Sequence, residues 1–305
     1  MKESTTRRDV LAAGAGVGIL TAGLFGSPDV LAKPKQHPSI DFSDPQQRLR
    51  AKVKVSGSLA GGPVHTLLRL HIYGYGNQGN LVPFFSMNNY ACNVWRKLDS
   101  GNYAVKVYES GVYTKFDSYE PITEWLNPFT NELREVHQFR SGPLNVEFGP
   151  DGLIAGPETT VKPKPMMNEI IEDTLIFSTQ SSFLFPSPFQ PEEYPKESAG
   201  KLFYWDSHYA YMSPLAAVAD PDVASAPSNI ALNNLVSWSP WMGMSQKAGR
   251  TYGRGAGRKI SGPAALPKPV RESLEKFTPQ VFDIENWGPP YDDIADYKAK
   301  LKEKR

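Results

Sequence analysis

The 305-residue chain carries 33 lysines and arginines against 32 aspartates and glutamates, a formal net charge of +1. That balance excludes a broadly basic nucleic-acid-binding surface and an acidic disordered tail. A 40% hydrophobic content supports a sizeable core, and 27 prolines with 25 glycines point to short strands joined by turns; the single cysteine, Cys92, excludes an intramolecular disulfide, a multi-cysteine zinc site and a cysteine-ligated iron–sulfur cluster.

Residues 1–32 read as an address, set apart from the fold. Thr6-Arg7-Arg8-Asp9-Val10-Leu11 has the twin-arginine pattern, a polar residue and two arginines ahead of an apolar pair. The Gly- and Ala-rich apolar stretch from Val10 to Phe25 follows, shorter than the roughly 20 residues that span a bilayer comfortably. Val30-Leu31-Ala32 then offers a cleavage site. The expectation is a signal peptide over 1–32 and a folded passenger handed to the twin-arginine translocase. The passenger becomes periplasmic or secreted, with no stable membrane insertion after cleavage. An uncleaved N-terminal anchor is the alternative.

The remainder, 33–305, reads as a single β-rich domain. Pro34 and Pro38 discourage helix in the leader, and Asp44-Pro45 opens a short helix through Arg50. From there to about residue 185 period-2 patterns dominate, beginning with Lys52-Val53-Lys54-Val55. Thr66, Leu68, Leu70 and Ile72 form one row, with His65, Arg69, His71, Tyr73 and Tyr75 on the other. Segments 103–108 and 112–116 flank Ser110-Gly111, the pattern of a hairpin. Thr174–Phe185 and Lys201–Met212 read as long strands. Helix signals are few: Ser213–Ala219, Val270–Phe277 and, most clearly, a C-terminal helix over about 292–304, where Ile294, Tyr297 and Leu301 share a face. The fold class expected is mainly β, antiparallel strands forming a barrel or a folded-over sheet, with a few short helices.

Several constellations carry chemistry. In Trp125-Leu126-Asn127-Pro128-Phe129-Thr130-Asn131-Glu132, Asn127-Pro128 starts a tight turn, Asn131 takes a left-handed conformation and Trp125 plugs the core; alternatively, Trp125 and Asn127 line a pocket rim. His137 follows on the next strand. Asp206 and His208 share one strand face, where a carboxylate orients or charges an imidazole as an acid/base pair; the competing reading is a solvated polar face. No histidine pair has a metal-ligand spacing of two to four, so no metal is assigned, nor any cofactor. The segment 249–259 alternates Gly with Arg without matching a dinucleotide fingerprint or a P-loop. It is a glycine-relaxed strand or loop with solvated arginines, or a cationic lid in which Arg254 and Arg258 grip an anion.

Trp238-Ser239-Pro240-Trp241-Met242, followed by Gly249, Gly257-Arg258-Lys259 and Leu266-Pro267, together with the upstream Trp125, Asn127, Pro128, Thr130 and Glu132, resembles a bacterial and fungal family, the domain-of-unknown-function family numbered 1838. The resemblance spans about Asp44 to Phe282, with Asn131 where the family more often has Gly. It implies a one-domain, β-rich protein and no particular reaction. It also directs attention to Trp238, Trp241 and Met242 as walls of a pocket for a flat apolar or aromatic molecule, or as an aromatic plug at a barrel end.

These readings lead to an exported enzyme acting without a redox cofactor on a hydrophobic or aromatic small molecule, as lyase, isomerase or hydrolase. His208 or His137 is the acid/base, oriented by Asp206. Trp125, Asn127, Trp238, Trp241 and Met242 surround the ligand, and Arg254 or Arg258 binds an anionic substituent. The alternative is a non-catalytic, lipocalin-like binding protein.

Overall fold

The computed structural model describes residues 40–76, 79–154 and 167–303. The twin-arginine leader lies outside the described residues. The first element, α1 (Pro45–Ser56), is opened by Asp44, whose carboxylate accepts from the Gln46 and Gln47 amides at 2.8 and 3.4 Å, with Pro45 in the first turn. The helix runs straight through the Lys52–Val55 alternation that reads as a strand. All four of those residues are buried. A helix end enclosed on every side has no apolar stripe of 3.6-residue period for a sequence to display.

Twelve strands follow: β1 (Pro63–Gly76), β2 (Leu81–Lys97), β3 (Tyr103–Thr114), β4 (Glu124–Leu126), β5 (Leu133–Glu135), β6 (Phe139–Gly149), β7 (Gly152–Ile154), β8 (Met167–Ile171), β9 (Thr174–Pro186), β10 (Leu202–Pro214), β11 (Asn229–Val236) and β12 (Gly249–Ile260). The other α-helices among the described residues are α2 (Leu215–Ala219), α3 (Lys268–Phe277) and α4 (Asp293–Glu303). Ten strands form one antiparallel sheet in the order β7-β6-β3-β2-β1-β12-β11-β10-β9-β8, and β4 pairs with β5 in a separate hairpin. The fold is therefore mainly β, as the sequence predicts. The sheet is an open, curled half-barrel with β7 and β8 at its edges.

Ser110-Gly111 makes no hairpin. Both residues lie inside β3, opposite Tyr90 and Asn89 on one side and Arg140 and Phe139 on the other. The missing Gly111 side chain leaves space for Met87 and Phe139, so this glycine serves packing rather than turning.

Register assigns every side chain to one of two faces. The concave face carries Leu68, Leu70 and Ile72 of β1, Phe85, Met87 and Asn89 of β2, Glu109 and Tyr113 of β3, Ile230 and Leu232 of β11, and Ser207, Tyr209 and Tyr211 of β10. Helix α1 closes one end of this concavity. Its Leu49 and Val53 pack on Trp95 and Val105, and its Ala51 and Val55 pack on Leu175 and Phe177. An aromatic cluster of Phe84, Phe85, Trp125, Trp238 and Trp241 closes the other end. On the convex face, Tyr90, Cys92, Tyr108 and Val112 are covered by α3 and the segment after it, through Val270, Leu274, Val281 and Trp287.

Candidate functional site

Between its two plugged ends the concave face holds a set of ionisable side chains. Glu109 stands on β3, two residues beyond Val107 on the inward row. It is half-buried, and desolvation pushes its carboxyl above the ordinary carboxylate range, partly offset by a hydrogen bond with the Asn89 side chain. Asn89 is itself buried, and its Oδ1 has no partner among the described residues. Opposite, on β10, the rings of Tyr209 and Tyr211 stack with centroids 6.1 Å apart and planes 17° from parallel. Burial raises both phenols, and the Glu109 charge adds to the shift at each. Both tyrosines thus lie close enough to Glu109 to feel it, although four strands separate β3 from β10 in the sheet.

Two lysines reach the same region from the plugged end. Lys52 of α1 places Nζ 4.0 Å from the centre of the Tyr211 ring, and burial lowers its amine to about 7. Lys259 of β12 donates to the Lys54, Gly57 and Ala226 carbonyls and to the Ser225 hydroxyl at 2.8–3.0 Å. Burial, together with the neighbouring Lys52 charge, depresses Lys259 also to about 7. The concave face therefore gathers a carboxyl shifted toward its neutral form, two phenols held neutral and an amine, beside the partly buried Met87. The inward row of Tyr103, Val105, Val107 and Glu109 held the signal for Glu109: a charged residue where the row is apolar. The expected hairpin at Ser110-Gly111 masked it.

The residues singled out from sequence fall in three places. Trp125, Asn127, Trp238, Trp241 and Met242 are brought together, but as buried packing: each is at most 8% exposed. Asn127 Nδ2 donates to the Met242 carbonyl at 2.8 Å, while its Oδ1 accepts from the Phe129 and Thr130 amides at 2.8 and 3.3 Å. Asn131 adopts φ 58° to close the turn. The two Trp-containing segments thus dock on one another as a plug, and only Trp241 also reaches a cleft.

His137 lines that cleft. Its Nε2 lies 3.0 Å from Asp293 Oδ1 on α4, and its ring packs on Tyr297 at 5.0 Å. A recess of about 100 Å³ between Tyr113, His137, Trp241 and Asp293 adjoins a larger cleft of about 590 Å³, bounded by Arg134, His137, Glu197, Tyr297 and Lys300. The carboxylate that meets a histidine here is Asp293, which sequence reasoning missed because 156 positions separate the pair.

Asp206, His208, Arg254 and Arg258 all point to the convex face, with His208, Arg254 and Arg258 exposed. Asp206 makes no hydrogen bond to His208 among the described residues, and its Oδ1 is unpartnered. The alternation that put these two on one face is correct, but that face is the outside of the curl. The structure separates them from His137 and from the tryptophans. Nor is 249–259 a lid: it is the central strand β12, with its arginines outward and Gly253, Gly255 and Gly257 inward. Among the described residues no group of three or more His, Cys, Asp or Glu is arranged to hold a metal.

A family described as "Protein of unknown function (DUF1838)" matches residues 71–289, more than two thirds of the chain. The chain belongs to the DUF1838 family. No curated protein was found to match it. The DUF1838 match begins inside β1, later than the Asp44 expected from the motifs, and runs past Phe282. It includes both Trp-containing segments and Asn89, Glu109, Tyr209, Tyr211 and Lys259, whereas Lys52 precedes it.

Proposed function

We propose that this DUF1838 protein is an exported enzyme that acts on a hydrophobic or aromatic small molecule at the concave face, by acid/base chemistry and without a redox cofactor. One observation carries the reading: Glu109, partly buried and shifted toward its neutral form, faces a stacked tyrosine pair inside a concavity closed at both ends. A carboxyl moved toward neutrality is suited to general acid/base work near the operating pH. Phenols kept neutral can hydrogen-bond an oxygen of the ligand, and their rings, with Met87, supply apolar walls. The unpartnered Asn89 Oδ1 offers an acceptor for a ligand N–H or O–H. Proton transfer is thereby assigned to Glu109, since His208 lies on the outer face, and His137 with Trp241 belongs to a separate cleft. The reaction class remains lyase, isomerase or hydrolase. The Thr6–Leu11 motif supports delivery through the twin-arginine route to the periplasm or beyond; changing Arg7 and Arg8 to Lys should retain the protein in the cytoplasm.

The test begins with thermal-shift measurements on a panel of phenols, aromatic acids and aromatic carbonyl compounds. Compounds that bind are then followed for turnover by mass spectrometry. Glu109→Gln should lower kcat by about 10²–10⁴-fold while leaving affinity within a few-fold. Binding that depends on Tyr209 and Tyr211 with no turnover of any bound compound would establish the binding-protein alternative. An unchanged kcat in Glu109→Gln removes the assignment of Glu109.

A further inference from the structure

We propose that Lys52 is a covalent site whose side-chain amine condenses with the carbonyl group of an aldehyde or ketone held on the concave face. This rests on the reading of that face as a small-molecule site and narrows its ligand class to carbonyl compounds.

Three lysines crowd the α1 end of the half-barrel, and their surroundings separate them. Lys54 Nζ donates to the Val218 carbonyl at 2.8 Å and to that of Asp220. Lys259 has the four oxygen acceptors already described. Both amines are engaged in tying the end of α1 to the segments around Val218 and Ala226, a structural duty that suits an ammonium. Lys52 is 3% exposed and has no hydrogen-bond partner among the described residues. Its Nζ lies over two aromatic faces, Tyr211 at 4.0 Å and Phe177 at 5.8 Å. Ring faces attract a cation but supply no hydrogen-bond acceptor for its N–H groups.

That combination favours an amine that gives up its proton. Burial brings Lys52 to about 7, so a large fraction of the amine is neutral and nucleophilic near neutral pH, as in lysines activated by an apolar pocket. The neighbouring inward residues of the helix, Ala51 and Val55, are apolar, and a leucine or methionine would serve packing at position 52 equally well.

The step balances without an oxidant or reductant. The Nζ lone pair attacks the carbonyl carbon, and the C=O π pair moves to oxygen. A proton passes from nitrogen to that oxygen to give a carbinolamine. Protonation of the hydroxyl by water lets it leave as water and gives a protonated C=N, whose N–H proton then returns to water to leave the neutral imine. One amine and one carbonyl compound yield one imine and one water.

The experiment uses the folded protein, with benzaldehyde or formaldehyde as probe and cyanoborohydride to reduce any imine, followed by peptide mapping at neutral pH. Lys52 should be modified about tenfold or more faster than the exposed lysines of the same protein. Lys52→Arg, which keeps a cation over Tyr211, should abolish modification of that peptide with an unchanged circular dichroism spectrum. Lys52→Met provides a second folded control. Modification no faster than at exposed lysines, with both probes, overturns the proposal, and the concave-site reading is then judged separately by the Glu109→Gln measurement. Formaldehyde labelling without benzaldehyde labelling upholds the reactive amine and overturns the aromatic ligand class.

Discussion

Lys52 and Glu109 are ionisable groups set among aromatic rings, and the free energy of holding each charged depends on pH. Burial lowers the Lys52 amine from 10.5 to about 7. Between those values the unfolded chain binds more protons than the folded one, so the contribution of this residue makes stability rise as pH increases through that window. Lys52→Met removes the titration in both states and should lack that part of the slope. Urea titrations at neutral pH and again in the mildly alkaline range measure it; a variant whose stability difference from wild type is the same at both shows Lys52 to be an ordinary amine. Glu109 acts in the opposite sense. Its carboxyl is raised above 4.5 in the folded state, so the folded chain holds the extra proton and stability falls as pH rises through that shift. Glu109→Gln should flatten this second slope in urea titrations taken from about pH 4.5 upward. Asn127 is the residue whose role was half legible. Asn127-Pro128 announces a turn, and the turn is there. Its bond to the Met242 carbonyl spans 115 positions, which local turn chemistry does not encode. Asn127→Ala strands that carbonyl and the two amides that Oδ1 receives, and should cost about 2–3 kcal/mol in thermal or urea unfolding.

The elements that were legible are those whose environment is asymmetric. The strand β1 alternates because one face meets the core and the other does not, and β9, β10, α3 and α4 were placed to within a few residues for the same reason. The C-terminal half of α1 has the alternation of a strand because burial on all sides erases its helical period. In β3, a glycine serving as packing space imitated a turn. Among the described α-helices, α4 alone has no buried residue. It is held by the His137–Asp293 contact at 3.0 Å, by Arg140–Asp296 at 3.5 Å and by Tyr297 packed against His137 and Phe189. The ion pairs are partly exposed and contribute little, so most of the attachment resides in the Tyr297 ring. Tyr297→Ala should raise amide exchange across Asp293–Glu303 by about tenfold or more while exchange in β1, β2 and β12 stays near wild type. Equal acceleration in the central strands would mean that α4 is part of the cooperative core.

Whether Glu109 meets Tyr209 and Tyr211 is a property of the whole sheet. With strands about 4.8 Å apart, a flat sheet would set β3 and β10 roughly 24 Å from each other; only the curl brings them into electrostatic contact. Curling requires backbones to approach closely at the bend, and β12 permits it by presenting glycine at inward positions 253, 255 and 257. A methyl group on Gly255 would run into the Arg69 carbonyl oxygen, and one on Gly257 into that of Leu67. At Gly253 the Asn234 amide already occupies the space. The Gly–Arg alternation that resembles a phosphate loop is therefore the record of a strand with one face stripped of side chains so that its neighbour can close in. Gly257→Ala forces β12 away from β1. It should destabilise the protein by about 1–3 kcal/mol and weaken aromatic-probe binding about tenfold, because a shift at the bend is magnified at the facing strands. Ala256→Ser, on the exposed side of the same strand, should change neither. If Gly257→Ala loses stability but keeps its affinity, the ligand does not bridge the two sides of the curl, and Glu109 and the tyrosine pair act apart.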